Sequence, residues 1–233
     1  MNEQQQRAWA ALDLGPIWKP RTQAPDVGSV TPGPEPLKLE SLNLVAAPLK
    51  PILPWDTLRA EVLACQKCAL AAGRKHVVFG SGPAPASWMV VGEAPGEQED
   101  LQGIPFVGPA GQLLDQMLAA IGVDRGRDVF VANVLKCRPP GNRDPQPEEV
   151  AQCRPWLSAQ IAAVQPRVIL AVGRFAAQAV LQTDETIGRL RATVHRSGEI
   201  PVVATYHPSY LLRSPGDKAK AWQDLLLARA LVN

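Results

Sequence analysis

Four cysteines are the first residues of this chain whose type and spacing could do chemistry. Cys65 and Cys68 form a Cys-x2-Cys pair, and Cys137 and Cys153 follow with fifteen residues between them. Four thiolates can enclose a zinc ion or a four-iron–four-sulfur cluster. Zinc ribbons bring two tight pairs, whereas only one pair is tight here, so the spacing favours iron–sulfur; four buried free thiols are the plain alternative. A redox pair at Cys65 and Cys68 alone would want a thioredoxin-like strand before it, and none is evident. A shared centre would pin both ends of the loop between Cys137 and Cys153 and present Arg138 and Arg143 beside it. A fixed basic loop suits nucleic-acid phosphates, with solvated arginines on a turn as the alternative.

A second group of residues shares no tight spacing but recurs after apolar runs. Gly92-Glu93-Ala94-Pro95-Gly96 follows Trp88-Met-Val-Val and makes a glycine-bearing turn where backbone can approach a flat ligand. Phe106 lies between Pro105 and Val107-Gly108 on a rigid loop, able to stack on a planar ring or to plug the core. Asn133 ends an otherwise apolar run, where an unpaired amide would cost about 1–3 kcal/mol. It therefore needs a partner, either a nucleobase edge or a backbone group. His207, one of three histidines, sits between Tyr206 and Pro208-Ser209 at the end of another such run.

The elements that must position these residues can be read from periodicity. Trp88–Val91, Val129–Leu135, Val168–Val172 and Val202–Ala204 are apolar runs of strand length. Helical patterns fill about 56–70, 110–121, 147–163, 174–182 and 217–231. Strands alternating with helices imply crossover connections and a parallel sheet buried on both faces. Ligands of such sheets sit beyond the carboxyl ends of the strands, which is where the glycine turn, Asn133 and His207 all fall.

Residues 1–54 read differently from residues 55–233. Nine of the 23 prolines lie in the first segment, which limits any helix between Pro16 and Pro54 to a few turns and marks a linker. Ahead of it, Gln4 to Leu14 has the pattern of a short amphipathic helix. The start of the chain lacks the layout of a secretory signal, and no run of about 18 apolar residues occurs, so a cytoplasmic protein with no membrane partner is expected. With 46% hydrophobic residues the chain is neither collagen-like nor wholly disordered. The net charge of +2 is unevenly spread: residues 136–233 carry thirteen basic and eight acidic groups, which suits a polyanionic partner or a solvated basic face.

Four stretches together resemble the type-4 uracil-DNA glycosylases, the iron–sulfur members of the uracil-DNA glycosylase superfamily. They are Gly92-Glu-Ala-Pro-Gly-Glu97; Pro105-Phe-Val-Gly108 with Ala110-Gly-Gln-Leu-Leu114; Asn133-Val-Leu-Lys-Cys-Arg-Pro-Pro140 with Asn142-Arg143; and His207-Pro-Ser-Tyr-Leu-Leu212. The resemblance covers about residues 57–231 and includes all four cysteines; residues 1–54 lie outside it. It implies a three-layer α/β/α catalytic domain around a central four-stranded parallel sheet. It also implies a four-iron–four-sulfur cluster on Cys65, Cys68, Cys137 and Cys153, and excision of uracil from DNA by cleavage of its N-glycosidic bond, the first step of base excision repair.

Carried over by position, the resemblance implies that Phe106 stacks on the base, Asn133 hydrogen-bonds the uracil edge, and His207 stabilises negative charge on the departing ring. Main chain around Gly92, Ala94 and Gly96 would line the pocket. Leu211 and Leu212 fall where this superfamily pushes a side chain into the gap left by the flipped base. Ser209, Ser214 and Lys218 fall near the phosphates, as Arg138 and Arg143 do. The best-known branch has Asp at the position of Ala94 and Tyr at that of Gly96; type-4 members share the pattern seen here. Glu93 is then the nearest carboxylate, expected to position water or to guard the pocket. The rival readings are a related glycosylase for another deaminated base and a non-catalytic DNA-binding module of the same fold. A covalent branch of the superfamily carries an extra basic, histidine-containing loop that is not seen between Asn133 and Cys153, and Asn133 favours uracil over a purine. The expected partner is uracil-containing DNA, met by a monomer near the nucleoid. The cluster is expected to be structural, and residues 1–54 to tether a repair or replication protein through Trp9 or Trp18.

Overall fold

The computed structural model describes residues 53–232. The segment 1–54, with its candidate helix from Gln4 to Leu14, lies outside the described residues except for Leu53 and Pro54.

Among the described residues five strands form one sheet: β1 (Trp88–Gly92), β2 (Val129–Asn133), β3 (Val168–Val172), β4 (Val194–Ser197) and β5 (Ile200–Thr205), in the order β2-β1-β3-β5-β4. Strands β2, β1, β3 and β5 run parallel, and β4 pairs antiparallel with β5 at the edge. Every residue of β1, β2 and β3 is buried, which explains why their sequences are continuous apolar runs rather than alternating ones. Their side chains still alternate between two cores. Trp88, Val90, Val129, Val131, Val168 and Leu170 join one apolar cluster, while Met89, Val91, Phe130, Ala132, Ile169 and Ala171 join the other.

Helices Pro109–Ala120, Pro208–Arg213 and Lys218–Ala230 cover the first face, and Trp55–Leu63, Pro147–Val164 and Arg174–Leu181 cover the second. The result is the expected three-layer α/β/α arrangement. The connection leaving β1 runs to β2 on one side and the connection leaving β3 runs to β5 on the other, so a crevice opens beyond the carboxyl ends of β1 and β3.

Two local expectations need correction. The sheet has a fifth strand, Val194–Ser197, whose residues are half-buried or exposed and so carry no apolar run to betray it. It folds back onto β5 through a two-residue turn in which Gly198 takes a positive φ of 59°. The helix expected over 56–70 is broken: one helix ends at Leu63 and a short one begins at Leu70, so Cys65 and Cys68 lie on the turn between them. No helix among the described residues is long and apolar enough to cross a membrane.

Candidate active site

A cleft of about 830 Å³ opens at the carboxyl ends of the strands. Glu93, Ala94 and Gly96 reach it after β1, Asn133 at the end of β2, Arg174 and Phe175 after β3, and Tyr206 and His207 after β5. Phe106 enters from the loop between the Glu97–Gln102 and Pro109–Ala120 helices. The three residues expected to hold a base, far apart in sequence, therefore share one cavity.

Gly92 makes that convergence sterically feasible. It pairs in register with Asn133, and a Cβ placed on it would lie 2.4 Å from Asn133 Oδ1 and 2.6 Å from Phe106 Cζ. Only a residue without a side chain lets the amide and the ring meet over the strand end. Asn133 is 2% exposed, and its Oδ1 is buried without a hydrogen-bond partner. A buried unpaired acceptor costs about 1–3 kcal/mol, so it is a group awaiting a donor.

Phe106 is held in an unusual backbone state. Its φ is +55°, a left-handed conformation that a bulky residue rarely adopts, and its ring is buried. Glu99 Oε1 accepts the following amides, Val107 N–H at 3.0 Å and Gly108 N–H at 3.2 Å. Gly111 packs so close that a Cβ there would fall 1.9 Å from the Phe106 carbonyl oxygen. The ring meets that of His207 with centroids 5.7 Å apart and planes inclined by 27°.

His207 caps the Pro208–Arg213 helix, and this fixes its tautomer. The Ser209 backbone N–H, which can only donate, points at Nδ1 at 3.1 Å, and Ser209 Oγ lies 2.8 Å from the same nitrogen. Nδ1 is therefore the acceptor, and the neutral ring carries its proton on Nε2. Burial, with help from the positive charge of Arg213, pushes the imidazole down to about 4, opposed only by Glu99, so it is neutral near pH 7. Ser209, expected at a phosphate, is thus a partner of the imidazole.

Glu93 lines the same cleft. Burial, reinforced by the negative charge of Asp144 and opposed by Arg174, pushes its carboxyl up to about 7. Asp144 and Arg174 pair at 3.3 Å, and Arg174 also lies over the Phe175 ring at 4.0 Å. A carboxylate poised near neutrality in a cleft has the character of a proton acceptor.

The loop after β2 ties this site to the cysteines. Val134 and Leu135 N–H donate to the Gly92 and Glu93 carbonyls, locking the β2 end onto the glycine turn. The fully buried Lys136 donates from Nζ to the Asn133 carbonyl at 2.7 Å and to Gln160 Oε1 at 2.6 Å. Cys137 and Cys153 are buried, Cys65 and Cys68 half-buried, and all four are free thiols. Each buried thiol feels the charge of other members of the set: Cys137 that of Cys65 and Cys68, Cys153 that of Cys137 and Cys68. Donors surround the sulfurs, with Arg74 Nη1 at 3.3 Å from Cys137 Sγ and Trp156 Nε1 at 3.3 Å from Cys65 Sγ. Burial, with smaller help from Cys137 and Cys68, pushes the Cys153 thiol up to about 11 against the pull of Lys136.

The remaining expected residues divide. Leu212 is 48% exposed, but Leu211 is 1% exposed within the core, so the wedge role expected of Leu211 does not fit its position. Successive helical residues point about 100° apart, and burying one turns its neighbour outward. Arg143 lines the cleft while holding both oxygens of the buried Glu149, which in turn accepts the Gln146 N–H at the start of the Pro147–Val164 helix. Arg138 donates to Asn142 Oδ1 at 2.8 Å and lies 3.7 Å from Glu97. Lys218, half-buried at the start of its helix, is not part of the cleft wall. Sequence reasoning missed Glu99, Asp144, Arg174, Lys136 and Arg213. Arg174 was within reach, since it follows a strand end and a glycine; the others are defined only by contacts across the fold.

Comparison with known proteins places this geometry among relatives. The family description "Uracil DNA glycosylase superfamily" matches residues 79–226. A type-4 uracil-DNA glycosylase of Archaeoglobus fulgidus is 45% identical over 168 residues, which is 69% of this chain and 84% of that protein. A type-4 uracil-DNA glycosylase of Thermotoga maritima is 42% identical over 167 residues, 71% of this chain and 86% of that protein. A type-5 uracil-DNA glycosylase of Pyrobaculum aerophilum is 36% identical over 167 residues, 70% of this chain and 67% of that protein.

Proposed function

We propose, because this chain belongs to the type-4 branch of the uracil DNA glycosylase superfamily, that it is a DNA-repair hydrolase that flips uracil out of DNA and breaks its N-glycosidic bond, leaving an abasic site. The observation that carries this reading is the buried, unpaired Oδ1 of Asn133 in the cleft that the Phe106 ring and a neutral His207 also line. Uracil presents one N–H between two carbonyls. Asn133 Oδ1 accepts that N–H, its amide nitrogen donates to one carbonyl, and His207 Nε2–H donates to the other. Flipping the nucleotide costs a few kcal/mol of stacking and pairing, offset by these contacts and by the Phe106 stack.

Breaking the bond builds positive charge on the sugar and negative charge on the leaving base. A preorganised donor aimed at that base lowers the barrier, typically by about 2.7–4 kcal/mol. His207 needs no rearrangement to act, since Ser209 already holds its acceptor nitrogen. Glu93, half-ionised near neutral pH, orients and deprotonates the water that attacks the sugar.

Cys65, Cys68, Cys137 and Cys153 would hold a four-iron–four-sulfur cluster. Their mutual electrostatic coupling and the N–H donors aimed at the sulfurs suit an anionic thiolate centre. No group of three or more His, Cys, Asp or Glu among the described residues is gathered to hold one metal ion. When bound, the cluster would supply a charged cross-link between the Cys65–Cys68 turn and the loop that carries Lys136 and Arg143. Arg138, Arg143, Lys218 and the exposed Leu212 then meet the DNA, the cations at phosphates and Leu212 in the vacated stack. We place the protein in the cytoplasm with the nucleoid, as a monomer, with residues 1–54 as a tether for a repair or replication partner.

Incubation with a single-stranded oligonucleotide carrying one labelled deoxyuridine, followed by alkali, tests the assignment. Strand scission at the uracil is expected; retention of intact oligonucleotide by the protein would instead make it a binding module.

A further inference from the structure

Arg125 lies outside the cleft wall, yet its guanidinium is spent on the loop that carries the stacking ring. Nη2 donates to the Pro105 carbonyl at 2.7 Å, and Nη1 donates to the Phe106 carbonyl at 3.1 Å and to Asp115 Oδ1 at 2.7 Å. Asp115 stands on the Pro109–Ala120 helix that begins directly after that loop. The base of the clamp is itself fixed: Asp124 Oδ1 accepts the Arg127 N–H at 2.9 Å, and Asp128 Oδ2 accepts the Asp124 N–H at 3.0 Å, closing the short turn on which Arg125 sits. We propose that Arg125, anchored by Asp115, is a positioning residue that holds Phe106 in its left-handed conformation and so sets the stacking face for the base.

The geometry requires such a device. A non-glycine residue at φ +55° sits in a sparsely populated region and persists only where its surroundings over-determine it. Glu99 fixes the two amides after Phe106, but it leaves the carbonyls of Pro105 and Phe106 unrestrained. Arg125 fixes those two carbonyls. A planar fork can reach two carbonyls and a carboxylate together, which a lysine ammonium matches only in part. Among the described residues Phe106 is the cleft residue that Arg125 bonds, so its effect passes through Phe106.

This inference rests on the uracil-binding reading, and the test separates the two. Inhibition of oligonucleotide cleavage by free uracil reports base stacking without the sugar chemistry. Arg125→Met should raise the inhibition constant about tenfold, within what a base–aromatic stack contributes. Phe106→Ala should raise it at least as much, and the double variant should be no worse than Phe106→Ala alone. Arg125→Lys should fall between wild type and Arg125→Met, and Asp115→Asn should show a weaker loss in the same direction. These two variants decide the matter if Arg125→Met fails to fold. An unchanged constant in the folded Arg125 variants, or a further loss in the double variant, would overturn the clamp while leaving the function intact. Wild-type protein that leaves the uracil-containing oligonucleotide uncleaved would overturn both.

Discussion

The ionisation of Glu93 gives a quantitative test of the chemistry. Its carboxyl sits at about 7 rather than near 4.5, through burial and the charge of Asp144. If the carboxylate is the active form, the single-turnover rate should rise tenfold per pH unit below about 7 and level off above it. At pH 5 only about one molecule in a hundred would carry the charge, whereas an ordinary glutamate would be about three-quarters ionised. His207 does not confuse the reading, because it changes charge near 4 and stays neutral across this window. The assay is uracil release from a labelled oligonucleotide between pH 5 and 9, with enzyme in excess. Two substitutions should move the curve in opposite directions. Asp144→Asn removes a charge that favours protonation and should shift the rise to lower pH; Arg174→Met removes a charge that opposes it and should shift the rise upward. Glu93→Gln should lower the plateau and flatten the profile. The folded state binds the Glu93 proton more tightly than the unfolded state, so that contribution to stability is complete below pH 4.5 and lost as pH rises through 7. Glu93→Gln should therefore also lose that part of the pH dependence of unfolding. A flat wild-type profile, or a rise that survives in Glu93→Gln, would refute the reasoning.

Other substitutions probe the frame around the site. Cys137→Ala should abolish the brown absorbance of the purified protein and lower its thermal midpoint; retention of both would contradict the four-cysteine assignment. Leu211→Ala should cost about 2–5 kcal/mol of stability, as core truncations do. Leu212→Ala should leave stability within about 0.5 kcal/mol and lower excision from duplex more than from single strands; denaturant unfolding and paired substrates separate the two. Gly92→Ala should depress excision by at least roughly tenfold with the fold retained, because its methyl would occupy the space of Asn133 Oδ1 and Phe106 Cζ; near-normal excision would show that the two can give way.

The frame was legible because burial on both faces writes itself into composition. The runs at 88–91 and 168–172 lie on β1 and β3 almost residue for residue, and the expected helices at 110–121, 147–163, 174–182 and 217–231 stand within a residue or two of those observed. Strand β4 was illegible because an exposed edge of Val-His-Arg-Ser needs no apolar pattern. Within the site, Phe106, Asn133 and His207 could be read because each breaks the pattern around it: an aromatic between turn residues, an amide in an apolar run, an imidazole at a strand end. Arg125, Glu99 and Lys136 could not, because nothing local distinguishes them from other charged residues. Their meaning lies in carbonyls and amides that only the folded chain brings near. The inward turn of Leu211 and outward turn of Leu212 likewise follow from where one short helix packs, not from either residue's type.

Uracil excision at this cleft depends on one pyrimidine being read at once by an amide, a ring and an imidazole. A crystal structure of the protein soaked with uracil tests this most directly. It should show the base stacked on Phe106, its N3 within hydrogen-bond distance of Asn133 Oδ1, and a carbonyl oxygen within reach of His207 Nε2. Uracil bound elsewhere, or bound in the cleft with Asn133 Oδ1 still unpaired, would contradict it.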